Sequence, residues 1–265
     1  MSSYINIFDT HAHYEDEAFN HDREQMLSAT LPQNGICGVV NCGSDIPTSE
    51  ASVKLAAKYP YIYAAVGIHP ECISDVPQDW ENRLDKLLGQ PKIVAVGEIG
   101  LDYHSKENPS RDLQKEFFIK QIMLAKKHNL PIIVHDRDAH GDTMDILRRL
   151  NPAGTIHCFS GSVEMAKEVL RLGMYIGLGG AVTFKNARTP LEVAKAVPEE
   201  KLLFETDCPY MAPVPFRGKR NDSTLIAYVA EKVAGLRGVS AQEILNTARK
   251  NAETLYISKL ISGVK

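Results

Sequence analysis

The chain has 265 residues, with 30 Lys and Arg against 33 Asp and Glu for a formal charge of −3, and it is 24% charged and 44% apolar. These are ordinary proportions for a soluble globular chain, and they exclude a collagen-like rod, a disordered acidic tail and a broad basic nucleic-acid arm. A chain of this length buries roughly three quarters of its surface without covalent staples.

The start, Met1-Ser2-Ser3-Tyr4, has no basic or apolar leader segment, so no signal peptide is expected. A first strand is predicted over 5–9 and a first helix over 17–31. Strand 36–42 precedes helix 48–58, and strand 62–67 precedes helix 79–88. Strand 93–97 follows. The next helix opens at Ser110, carries Leu113, Phe117, Ile122 and Ala125 on or near one face, and closes on Lys126-Lys127-His128 ahead of Asn129 and Pro131. Strand 132–134 leads to helix 142–150, strand 155–156 to helix 163–172, and strand 174–178 to helix 191–196. After strand 202–204, Ser240-x-x-Glu243 has capping-box spacing before a final helix.

No linker or low-complexity stretch interrupts this alternation, so a single domain over 1–265 is expected. The strand runs are nearly continuous in apolar residues, as in parallel sheets buried on both faces. Eight strand–helix units in about 250 residues predict an α/β fold, a (β/α)8 TIM barrel. A doubly wound open sheet shares the local signature. No run approaches the ~18 apolar residues of a membrane span. Five cysteines without CxxC spacing predict reduced thiols and a cytoplasmic location.

Polar residues collect where the strands end. The first run finishes in Asp9-Thr10-His11-Ala12-His13, the third in Gly67-Ile68-His69-Pro70, the fourth in Gly97-Glu98-Ile99-Gly100-Leu101-Asp102. The fifth ends in His135-Asp136-Arg137-Asp138, the sixth in His157-Cys158, the eighth in Glu205-Thr206-Asp207. His11 and His13 are two apart, so an extended strand points both rings to one face. With Glu98, His135, His157 and Asp207 they make a donor set suited to Zn²⁺, Mn²⁺ or Fe²⁺, and its carboxylates also admit Mg²⁺. Six ligands exceed one open tetrahedral site, so two ions sharing a carboxylate are expected. Such a pair generates a hydroxide near neutral pH and clamps the attacked group.

Taken together, these segments resemble the TatD-type metal-dependent deoxyribonucleases of the amidohydrolase superfamily. Pro131-Ile132-Ile133-Val134-His135-Asp136-Arg137, His157-Cys158-Phe159-Ser160-Gly161 and Leu202-Leu203-Phe204-Glu205-Thr206-Asp207-Cys208-Pro209-Tyr210 carry the likeness with the first, third and fourth segments above. The loop Pro213-Val214-Pro215-Phe216-Arg217-Gly218-Lys219-Arg220-Asn221 adds to it. The family is a (β/α)8 barrel. The resemblance implies that His11, His13, Glu98 and Asp207 hold one divalent ion and Glu98, His135 and His157 a second, with Mg²⁺, Zn²⁺ or Mn²⁺ as the metals. Cys208 stands where the family more often has Ser or Ala, and His104 where many members carry another aromatic.

The resemblance implies cleavage of phosphodiester bonds from DNA ends, in the 3′→5′ sense, through a metal-bound hydroxide. Asp207 is the expected proton acceptor. Arg137 faces the side of His135 and is a candidate phosphate grip, or else a salt-bridge partner of Asp102 or Asp136. His69 is a candidate phosphate donor, or a cap before Pro70. Glu205 is expected to orient His135 or another ligand, or to sit in a core ion pair. Arg217, Lys219 and Arg220 form the one basic cluster near the mouth and are candidate contacts to backbone phosphate, or a solvated loop. DNA held as a single strand or by its end is the expected partner, no membrane is expected, and a monomer is compatible with all of these features. The alternatives are hydrolysis of an ester, lactone or amide, including an aminoacyl-tRNA ester, and a non-catalytic metal-binding role.

Overall fold

The computed structural model describes residues 4–261. Residues 1–3, which belong to the segment read for a signal peptide, lie outside the described residues, as do 262–265. Eight strands run β1 (Ile7–Ala12), β2 (Ile36–Cys42), β3 (Ile62–Val66), β4 (Ile93–Asp102), β5 (Ile132–Arg137), β6 (Gly154–Ile156), β7 (Tyr175–Leu178) and β8 (Leu202–Phe204). All neighbours pair in parallel, in sequence order. The ring closes where Ala12 bridges Cys208, with His13 N donating to Cys208 O at 2.8 Å and Asp207 N to His11 O at 3.0 Å. This seam makes the sheet a (β/α)8 barrel, as the strand count predicts, and removes the doubly wound alternative.

Successive strand residues point to opposite faces, and the buried side chains divide accordingly. Phe8, Val40, Ala65, Ala95, Ile133 and Leu203 pack with one another and with Ala252 and Tyr256 from the C-terminal segment. Their neighbours Ile7, Val39, Ala64, Val96, Val134 and Phe204 pack outward on helix residues such as Leu84, Phe118, Leu147 and Val233. Burying one Phe or Leu of this outer layer contributes about 1.5–3 kcal/mol relative to exposure. No helix among the described residues is long and apolar enough to cross a membrane.

Several helix signals act as expected. The Ser110 side chain accepts from Leu113 N at the head of Arg111–Lys127, and Ser240 and Glu243 form a reciprocal capping box at Ala241–Ala252. The predicted helix 17–31 is divided instead. Glu17–Phe19 is a single 3₁₀ turn, and helical structure begins at Arg23, passes through a π segment at Met26–Thr30 and ends with Leu31–Gln33. Helix Ile226–Arg237 was not anticipated.

Three strands run further than expected. β1 continues to Ala12, β5 to Arg137 and β4 to Asp102, so His11, His135 and Glu98 lie within strands rather than in the turns beyond them. Glycines in β4 serve close strand contact. Gly100 has φ +149°, and a Cβ there would stand 2.0 Å from His135 O.

Candidate metal centre at the barrel mouth

The six candidate ligands come together. His11 and His13 have their Nε2 atoms 3.0 Å apart, the same-face placement expected for residues two apart. His157 follows the end of β6, its ring stacked on His11 at 4.0 Å between centroids. Asp207 follows β8 with φ +58°, a left-handed conformation that Asp tolerates through its short polar side chain.

Glu98 is the hub, and its two oxygens face different groups. Oε1 lies 2.7 Å from His157 Nε2, 2.9 Å from His135 Nδ1 and 3.6 Å from His69 Nε2. Oε2 lies 3.3 Å from His11 Nε2 and 3.7 Å from His13 Nε2. Asp207 Oδ1 completes the second group, 3.7 Å from His11 and 3.4 Å from His13. Three sets of ligand atoms are close enough to share an ion: His11, His13 and Glu98; His11, His157 and Asp207; and His69, Glu98 and His135. Carboxylate oxygens among imidazole nitrogens are the donor chemistry of a borderline divalent cation, so the residues fit such an ion.

Neighbouring groups set which ring nitrogens face the centre. His13 Nδ1 lies 2.8 Å from Cys42 O; a carbonyl only accepts, so Nδ1 carries the proton and Nε2 keeps its lone pair inward. His135 is reversed, with Nε2 held at 2.9 Å by Asp102 Oδ2 and Nδ1 turned to Glu98. Asp102 is buried, and its hydrogen bond to a candidate ligand was not anticipated. The spacing of Glu98, Gly100 and Asp102 was the available signal, but β4 changes register between Val96 and Ile99, so alternation counted from the start of the strand would not place Glu98 on the inner face.

His69 takes the capping one of its two expected roles. Nδ1 accepts from Glu71 N at 3.2 Å, capping the turn that starts at Pro70. The proton therefore sits on Nε2, which faces Glu98 as a donor.

Electrostatics follow from burial and charge together. Burial lowers His11 to about 4 and His69 to about 3, so both rings are neutral near pH 7. For His135 burial is outweighed by bonds to Asp102 and Glu98, which raise it to about 10. Burial also opposes the charge on Glu98, but His157, His11 and His69 hold its carboxyl well below the usual range.

Glu205 is wholly buried and accepts from Cys158 N. Its Oε1 is 3.7 Å from His157 Nδ1, so its neighbour is His157 and not His135. Burial pushes its carboxyl up to about 8. Gly177 makes room for it, since a Cβ there would stand 2.4 Å from Glu205 Oε2.

The remaining candidates separate by their partners. Arg137 is exposed at the end of β5; its carbonyl accepts from Tyr103 N at 2.9 Å, but its guanidinium makes neither expected salt bridge and has no hydrogen-bond or ion-pair partner among the described residues. Arg220 forks onto Asp22 at 2.7 and 2.6 Å and also donates to Ala18 O. Arg217 lies over the Phe184 ring at 3.8 Å. Lys219 is exposed and has no such partner among the described residues. His104 Nδ1 is 2.8 Å from Asp138 Oδ2 at the surface.

Comparison with known proteins agrees with this centre. The family model described as TatD related DNase matches residues 8–257. The chain is 42% identical over 253 residues to the uncharacterized metal-dependent hydrolase YabD of Bacillus subtilis (strain 168), covering 94% of this chain and 98% of that one. It is 30% identical over 258 residues to the 3′-5′ ssDNA/RNA exonuclease TatD of Escherichia fergusonii, covering 94% and 98%. The crystal structure of YJJV, a TatD homologue from Escherichia coli K12, superposes with TM-score 0.89 at 32% identity, covering 95% of this chain and 98% of that one. The barrel, the shared carboxylate and a family match over nearly the whole chain converge: this chain belongs to the TatD related DNase family of metal-dependent hydrolases.

Proposed function

We propose that the protein is a two-metal deoxyribonuclease that removes nucleotides from the 3′ end of single-stranded DNA. The observation that carries this reading is the division of Glu98, with Oε2 turned to His11 and His13 and Oε1 to His135 and His157. So disposed, Glu98 could give one oxygen to each of two ions. His11, His13, Glu98 and Asp207 would hold one Mg²⁺, Zn²⁺ or Mn²⁺, and Glu98, His135 and His157 the other. When bound, two such ions would supply positive charge for a phosphate and make a nearby water more acidic.

The chain's own groups do the rest. Asp207 is the most exposed of the carboxylates at the centre, its side chain 20% accessible against 5% for Glu98, and it takes the proton of the attacking water. Asp102 and the Cys42 carbonyl keep His135 and His13 in their ligating tautomers. His69 Nε2–H and the unpartnered Arg137 guanidinium point donors at a non-bridging phosphate oxygen. Relatives named as 3′-5′ ssDNA/RNA exonucleases support the choice of nucleic acid.

The test is digestion of oligonucleotides blocked at the 5′ or the 3′ end, with each divalent metal, beside ester and lactone substrates. Shortening stopped only by the 3′ block is the expected result. Glu98→Gln is expected to abolish it, and Asp207→Asn to slow it about 10²–10⁴-fold. Turnover of esters or lactones alone, or no cleavage with any metal, refutes the nuclease reading.

A further inference from the structure

Beside the metal centre, the turns after β1 and β8 enclose an open cavity of about 650 Å³, lined among others by Asp16, Glu17, Tyr210 and Lys219. Tyr210 forms the wall shared with the centre, its ring 6.4 Å from that of His13 and inclined at 60°. It is 55% exposed, yet it is held at three points. Its hydroxyl donates to Asp16 Oδ2 at 2.9 Å, its N–H to Asp207 O at 2.9 Å, and its carbonyl accepts from buried Asn221 Nδ2 at 2.7 Å. A large ring fixed in place while its face stays in water gains little for the fold. It is a preorganised surface for a planar partner, because the entropy of ordering the side chain is already spent.

The charges of the cavity favour a nucleotide as that partner. Of the three cations in the 217–220 segment, Arg217 is stacked on Phe184 and Arg220 is forked onto Asp22. Lys219 alone is free for a phosphate. Glu17, also in the lining, is exposed and offers acceptor oxygens to the exocyclic amine of a base.

We propose that this cavity is a nucleoside subsite for the strand being cut, with a base stacked on Tyr210 and its flanking phosphate at Lys219. The proposal rests on the nuclease reading above. Stacking on an aromatic side chain tolerates any base, so the subsite grips a single strand without reading its sequence.

The test uses oligonucleotides abasic at one of the last three 3′ positions, compared with the intact strand. At one of those positions, loss of the base is expected to lower wild-type kcat/KM about tenfold and to lower that of Tyr210→Ala little further. Tyr210→Phe keeps the ring and is expected to keep the preference. Lys219→Ala should weaken intact and abasic strands alike and flatten the salt dependence, with Lys219→Arg restoring both. Equal losses for Tyr210→Ala on intact and abasic strands at all three positions would overturn the subsite, as would a wild-type enzyme indifferent to every missing base. Should the wild type cut nothing, the nuclease reading fails separately. Fluorescence anisotropy of the same strands on metal-loaded protein then decides the subsite: a base preference removed by Tyr210→Ala upholds it, and none overturns it.

Discussion

Glu98 faces five imidazoles through two oxygens, so losing it is not equivalent to losing any single histidine. Asp102 acts one step away, by holding the proton on His135 Nε2. Asp102→Asn is expected to weaken metal binding about 10–100-fold, read by competition with a chelating dye, while the fold persists. Arg220 shows how partner choice redirects a residue. Its hydrogen bond to Asp22 is the main influence holding that carboxyl below its ordinary value, so the pair stabilises the fold above the unfolded carboxylate range and ceases to do so as pH falls through the folded value. Arg220→Ala should therefore lose about 0.2–1 kcal/mol in urea at pH 7, with the difference from wild type shrinking as pH falls through the lowered Asp22 value. The ligands were legible in sequence because chemistry-bearing residues recur at strand ends. Asp102 and the engagement of Arg220 were not, since both depend on a partner 33 or 198 residues away.

At the scale of elements, local signals performed well where they were self-contained. The Ser110 cap and the Ser240–Glu243 box rest on atoms within three residues of each other, and both form as read. β4 extends past its apparent end because Gly97 and Gly100 let β4 lie against β5. Gly100→Ala would drive a Cβ into His135 O and force β4 and β5 apart. A loss of about 1–3 kcal/mol is expected, with weaker metal binding, measured by urea denaturation and metal titration on one preparation. Helix Ile226–Arg237 escaped notice for a related reason. Its buried residues include Ile226, Ala227, Val229, Ala230, Val233 and Ala234, too wide a face to present a clean helical stripe.

For the whole molecule, the ring of strands and the metal centre are one system, because the ligands come from β1, β4, β5 and the residues after β6 and β8. An ion bound only by the folded state stabilises it by about 2.7 kcal/mol at one hundred times its Kd. Chelation is thus expected to lower Tm and Zn²⁺ or Mn²⁺ to restore it, in calorimetry, with Glu98→Gln insensitive to both. An unchanged Tm for the wild type would mean that the donors do not bind the ion in the folded state.

The amino-acid sequence alone determined the alternation of strands and helices and the residue types at the strand ends, because periodicity and side-chain chemistry are local properties. Only the tertiary structure decided which oxygen of Glu98 meets which histidines, that Glu205 lies beside His157, that Arg220 is taken by Asp22, and that Tyr210 stands fixed and exposed beside His13. Those pairings arise when closure brings β1 against the residues after β8, some two hundred positions apart in the chain. Distance through space, which no spacing along the sequence encodes, then selects each partner.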